Sequence, residues 1–236
     1  MSAHYFASFG AEHFSAIAIV VGGAIIFVWA ARRATAPQTR RAARIDRALR
    51  WTLAIACLAA EVNDLVWLLG SGLPLRHLLP LHLCDISILL APVVLLTANR
   101  TVYELLYFWG IGGAVQAIAT PIVWWGFPDP SCVLFFLGHG LILTSALYAT
   151  AVMRLRPAPR SILRVWLITN AYGLAIIALN WALDTNYLFL NWKPATPSLL
   201  DLMGPGHWYW LPLDLVALVV ILLCYLPYYV LDRQRR

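Results

Sequence analysis

The stretch HLLPLHLCDISILLAPVVLLT (His77–Thr97) is where the reading of the fold begins. It is apolar over about 20 residues, the length a helix needs to cross a bilayer core. Its first half nevertheless places His82, Cys84 and Asp85 within four residues. Burying three polar, reactive groups in hydrocarbon is costly, and such residues in spans usually mark function. The surrounding chain says that hydrocarbon is the right solvent: of 236 residues, 61% are hydrophobic and only 12% charged, against roughly 25% charged in a soluble domain.

Similar apolar runs occur throughout. Spans are predicted at 14–31, 51–70, 77–97, 102–124, 131–153, 161–184 and 208–231, separated by breakers such as RRATAPQTRR, GSGLP, GFPDPS and RLRPAPR. The expectation is an all-α polytopic membrane protein, one seven-helix domain over 1–236. The N-terminal stretch MSAHYFASFGAEH lacks the basic start of a cleavable signal peptide. A net charge of +6 raises nucleic acid as a partner. However, the arginines sit in the loops, so they read as topology determinants facing anionic lipid. Arg32, Arg33, Arg40, Arg41, Arg44, Arg47, Arg50, Arg100, Arg154, Arg156, Arg160, Arg164, Arg233, Arg235 and Arg236 fall on one side of a seven-span chain, with only Arg76 and Lys193 on the other. Positive-inside then puts the N-terminus outside and the C-terminus in the cytoplasm.

This topology gives each polar residue a depth, at about 1.5 Å per residue. Glu61 and Asp64 of the second span, Cys84 of the third, Gln116 of the fourth, His139 of the fifth, Asn180 of the sixth and Asp214 of the seventh share a layer roughly 9–13 Å below the outer surface. A structural hydrogen-bond network is one reading of this layer and a functional site the other. Three-residue spacing puts His82 with Asp85, and Glu61 with Asp64, on common helix faces. Cys84 lies about 200° around from His82, so a base for a Cys84 nucleophile would come from another helix. His139, in FLGHG, matches it in depth, and Gly138 and Gly140 would let a helix or a substrate chain approach closely. Gln116 or Asn180 could donate to an oxyanion. Cys57, Cys84, Cys132 and Cys224 show no CxxC pairing, and no paired-histidine helix motif suggests a metal.

The outer segment TNYLFLNWKPATPSLLDLMGPGH (Thr185–His207) mixes aromatics, prolines and a Gly-Pro-Gly turn with SLLD, which reads as a cap and a short helix. It is expected to fold back on the bundle mouth as a lid. Asn186, Tyr187, Lys193, Ser198 and Asp201 are its candidate lid or head-group residues, Lys193 either meeting an anionic group or snorkelling at the interface.

LPLHLCDIS, FLGHG and NYLFLNWKPATPSLLDLMGPGHWYW (Asn186–Trp210) together resemble the YwaF-type integral membrane proteins. An animal relative of that family is an acyltransferase that remodels ether phospholipids, and more distant relatives are the androgen-induced and androgen-dependent hydrolases of fatty-acid esters of hydroxy fatty acids. The resemblance implies a cysteine acyl-enzyme at Cys84, assisted by His139, passing a fatty acyl chain from a phospholipid to a lysophospholipid without coenzyme A. The expected partners are therefore membrane phospholipids and not nucleic acid, in a bacterial plasma membrane, with no metal and no cofactor. The competing expectation is a transporter, or a lipid-binding or lipid-scrambling protein, using the same polar layer as its pocket.

Overall fold

The computed structural model describes residues 4–194, 199–204 and 209–234. Among these the regular secondary structure is helical, apart from one isolated bridge between Tyr5 and Trp125. α1 (Ala11–Thr35) and α2 (Arg40–Gly70) are joined by a four-residue turn. The Thr39 hydroxyl ends that turn by accepting the Ala42 N–H at 3.1 Å, so α2 starts about ten residues before its predicted span and carries its five arginines on helix. α3 (Leu83–Thr97) follows, and then a rod over 100–119 made of α4 (Arg100–Leu105), a π-helical stretch (Leu106–Ile111) and α5 (Gly112–Ala119). α6 (Pro130–Ala151), α7 (Pro159–Leu183) and α8 (Trp210–Arg233) complete seven rods among the described residues. α1, α2, α6, α7 and α8 are long and apolar enough to cross a membrane. Their outward faces carry bare apolar side chains such as Ile19, Leu174 and Leu223. That is what hydrocarbon, not water, tolerates over so large an area. The chain is an integral membrane protein.

The span expected over 77–97 is the main correction. Its helix begins only at Leu83, and fifteen residues reach about 22 Å, short of the roughly 30 Å core. Pro80 has no N–H to give a helix and pushes its predecessor out of helical geometry. Non-helical backbone at such depth must find other partners, and here tyrosines supply them. Tyr172 Oη donates to the Leu81 carbonyl at 2.8 Å, while Tyr187 Oη accepts the Leu79 N–H and donates to the Arg76 carbonyl, both at 2.8 Å. His82 is consequently the residue capping α3 and not a member of a helical face with Asp85; its N–H donates to Asp85 Oδ2 at 2.9 Å. The fourth span also ends early, at Ala119 where 124 was expected.

α3 is the centre of the bundle, packed against α2, α6 and the π-helical stretch, with Ala91, Val94 and Leu95 wholly buried. Gly112 lets α8 come close: a Cβ there would stand 2.6 Å from Val220. Below the level of α3's start, polar groups occur in closed pairs. Cys57 Sγ meets Ser145 Oγ at 3.5 Å, Tyr103 Oη contacts Thr150 Oγ1 at 2.9 Å and the Leu155 carbonyl at 3.0 Å, and Arg164 pairs with buried Glu104 at 2.9 Å.

Candidate functional site

A cavity of about 670 Å³ opens above the start of α3, within the roughly 300–1,000 Å³ of small-molecule sites. Three helices supply its chemistry. α2 contributes Glu61 and Asp64, one turn apart; the start of α3 contributes His82, Cys84 and Asp85; α6 contributes His139. The fourth wall is the connection over 120–129, with Thr120, Trp124, Trp125 and Asp129. Phe189 reaches in from the outer segment.

Cys84 occupies the second position of α3. The first amide groups of a helix have no intrahelical acceptor, and those of Cys84 and Asp85 lie in the first turn of α3, beside the cavity. Cys84 Sγ in turn donates to Asp85 Oδ1 at 3.4 Å, so Asp85 ties the cap residue and the thiol together through its two oxygens. His139 is 8% exposed and donates from Nδ1 to the Phe135 carbonyl at 2.7 Å. A carbonyl can only accept, so the neutral ring carries its proton on Nδ1 and offers the Nε2 lone pair. Among the described residues no hydrogen bond joins Cys84 to His139; they share the cavity wall.

The 120–129 wall is held by the N-terminal segment, which depth arithmetic did not consider. Phe6 N–H donates to the Trp124 carbonyl at 3.0 Å, Gly126 N–H to the His4 carbonyl at 2.9 Å, and Phe127 N–H to Glu12. A Cβ at Gly126 would stand 2.3 Å from the His4 ring, so the glycine lets that ring lie against the crossing. His13, wholly buried, accepts the Phe9 N–H on Nδ1 and donates from Nε2 to the Ile118 carbonyl at 2.7 Å. Asp129 caps α6 by accepting the Ser131 N–H at 2.9 Å. An Asp-Pro pair ahead of an apolar run was a readable start signal, though nothing in it pointed to a cavity.

Other expected members of the polar layer lie elsewhere. Gln116 is exposed on the outside of α5. Asn180 is fully buried but committed to the chain beyond α7: it donates to the Tyr187 carbonyl and accepts from Tyr187 N–H and Thr185 Oγ1. Neither faces the cavity to serve an oxyanion. Asp214 accepts from Trp166 Nε1 and Asn170 Nδ2, both at 2.9 Å, between α7 and α8.

In the outer segment, Asn186 organises its own turn by accepting the Asn191 and Trp192 N–H groups and donating to the Trp192 carbonyl. Tyr187 and Phe189 lay their rings against His82, with centroids 5.5 and 5.4 Å away. Burial pushes the Tyr187 phenol above its usual pKa, keeping the hydroxyl protonated for its bond to Arg76. Lys193 donates to the Gly204 carbonyl at 2.7 Å and lies over the Tyr209 ring, so its ammonium closes the segment on itself. Asp201 sits exposed in the short 3-10 turn Leu199–Met203, and Ser198 falls outside the described residues.

The TMEM164 family model matches residues 8–225, which takes in every residue of the cavity wall. The chain belongs to the TMEM164 family. No curated protein and no solved structure matches it. Within this TMEM164-family chain the arrangement offers a thiol at a helix start, amides able to receive a negative charge, and a histidine with a free lone pair. A carboxylate orients the thiol, and all of these border one space.

Proposed function

We propose that the chain is a membrane acyltransferase, moving a fatty acyl chain from a phospholipid to a lysophospholipid through a thioester on Cys84. The observation that carries this reading is the single cavity shared by Cys84, at the start of α3, and His139, whose Nδ1 is committed to Phe135. His139 Nε2 takes the thiol proton, and the thiolate attacks the ester carbonyl. The oxyanion is received by the Cys84 and Asp85 amides, in place of Gln116 or Asn180. Collapse breaks the ester C–O bond, and the departing lysophospholipid oxygen takes the proton from His139. A second lysophospholipid then gives its hydroxyl proton to His139 and attacks the thioester, restoring the thiol. No coenzyme A, metal or other cofactor enters this sequence.

In this reading the site lies in the outer half of a bacterial plasma membrane, with the N-terminus outside and the C-terminus in the cytoplasm; the one-sided arginine distribution supports the orientation. Glu61, Asp64 and His82 orient the lipid head group, and Tyr187 and Phe189 cover His82 from the outer segment. The transporter reading is less well supported, because the cavity stops at a packed layer: Cys57, Ala91, Ser145 and Ala146 below it are wholly buried. Purified protein incubated with phospholipid carrying a tagged acyl chain should acquire a hydroxylamine-sensitive adduct on Cys84 by mass spectrometry. An adduct that persists in Cys84→Ala, or no adduct with any ester lipid, would reject the reading.

A further inference from the structure

The inner end of the cavity, beyond Cys84, restricts how an acyl chain could lie in it. Its floor is formed by Ala60, Ile88 and Ile142, which line the space and are at most 9% exposed. Ile88 is four residues along α3 from Cys84, about 6 Å on the helix axis, and Ile142 is three residues from His139, about 4.5 Å. An extended hydrocarbon advances about 1.3 Å per carbon from bonds of about 1.5 Å, so roughly four or five carbons fit between the sulfur and the floor. Nothing longer can continue straight inward, because the next layer is closed.

The two glycines flanking His139 divide their work. A Cβ at Gly140 would stand 3.0 Å from Val20, so that glycine admits α1. A Cβ at Gly138 would meet only Ile88 Cδ1, at 4.0 Å, and Gly138 itself lines the cavity. The space in front of it is therefore not filled by a neighbouring helix. On the open side the rim is apolar and aromatic: Trp67, Ile122, Trp124 and Trp125 line the cavity yet are 38–58% exposed. Exposed tryptophans of this kind sit at the bilayer interface.

Building on the acyl-transfer reading, we infer that an apolar slot bounded by Ala60, Ile88, Gly138 and Ile142 grips only the carboxyl-proximal carbons of the acyl chain. The rest of the chain turns out through the Trp67–Trp124 rim into the lipid. Gly138 is thus a specificity-determining position, and the protein reads the shape of the first few carbons, not total chain length.

The test uses the full chain in phosphatidylcholine vesicles with two phospholipid probes of equal chain length. One bears a photoreactive carbon near the ester and the other bears it near the terminal methyl. The near-ester probe should label peptides holding Ile88 and Gly138–Ile142, and the far probe should not. Slot labelling by the far probe of equal strength would overturn the slot. Gly138→Leu should abolish slot labelling and slow Cys84 acylation about tenfold or more, the scale on which a pocket rejects added carbons. Ala60→Val, filling the same slot from α2, should do likewise if the effect is not a distortion of α6. Donors differing only in total length should acylate Cys84 at rates within about threefold, while a methyl branch beside the ester should cost about tenfold; a steep length dependence would overturn the inference. Slot labelling without any thioester would reject acyl transfer but support the slot as a chain-binding site, so the two failures are distinguishable.

Discussion

The half of α2, α3 and α6 that borders the cavity, the outer half in the proposed orientation, and the opposite, inner half put their polar residues to different uses. In the inner half buried polar side chains pair off: Cys57 against Ser145, Tyr148 against Asp46 at 2.7 Å, and Thr150 against Tyr103. In the outer half Glu61, Asp64, Cys84 and His139 border a void. Two histidines on the cavity side show the same contrast within one level. Both ring nitrogens of His13 are engaged by the chain, whereas only one of His139 is. A polar group matched at every position stabilises, while one left with an open position facing a cavity is available to a substrate.

The comparison breaks first at Cys84. Cys84→Ala should lower acyl turnover by roughly 10⁴-fold or more, as loss of a nucleophile does, with thermal stability nearly unchanged because the thiol lines the cavity and its hydrogen bond to Asp85 is long. A large loss of stability would return Cys84 to the ranks of packing residues. His139→Gln should cost about 10²–10⁴-fold in the rate of thioester formation, the usual contribution of a general base, read by single-turnover mass spectrometry. An unchanged rate would hand proton transfer to Asp85, which already receives the thiol hydrogen.

These two positions also show what was legible in advance. Composition and arginine alternation suffice for an all-helical membrane protein, and depth arithmetic placed Cys84 and His139 at one level. Depth does not give direction around a helix. Gln116 shares the level but turns outward, and the π-helical stretch Leu106–Ile111 ahead of it departs from even 100° steps. Asn180 and Asp214 share the level as well, yet they serve the turn after α7 and the α7–α8 contact. The late start of α3 was signalled by Pro80, but hydropathy treats an apolar irregular segment and an apolar helix alike. The N-terminal brace on the 120–129 wall carried no sequence signal, since its bonds are largely backbone to backbone.

The inner half should respond in stability and not in chemistry. Glu104→Ala would leave Arg164 without its carboxylate at the rod over 100–119. Breaking a buried pair costs about 3–5 kcal/mol, but the Arg164 side chain is 38% exposed, which lowers the expected loss to about 1–3 kcal/mol. The protein that remains folded should acylate Cys84 at the normal rate. A selective loss of activity would mean that the inner half is coupled to the cavity.

Cys57→Ala is the gentlest probe and the most discriminating. Cys57 lies directly below the floor, wholly buried, and its one polar partner is Ser145. Removing the thiol deletes a weak hydrogen bond and a small volume, about 1 kcal/mol or less if the layer relaxes. The Ser145 hydroxyl is then left to find a helix carbonyl, as Thr144 and Thr150 do on the same helix. If the floor is a passive seal, thiol-reactive lipid should still modify Cys84 and acyl turnover should stay within about twofold of normal, since a sub-kcal/mol packing change shifts a rate by little more than that. If turnover instead falls as it does in Cys84→Ala, the division between the halves fails, and Cys57 belongs to the site.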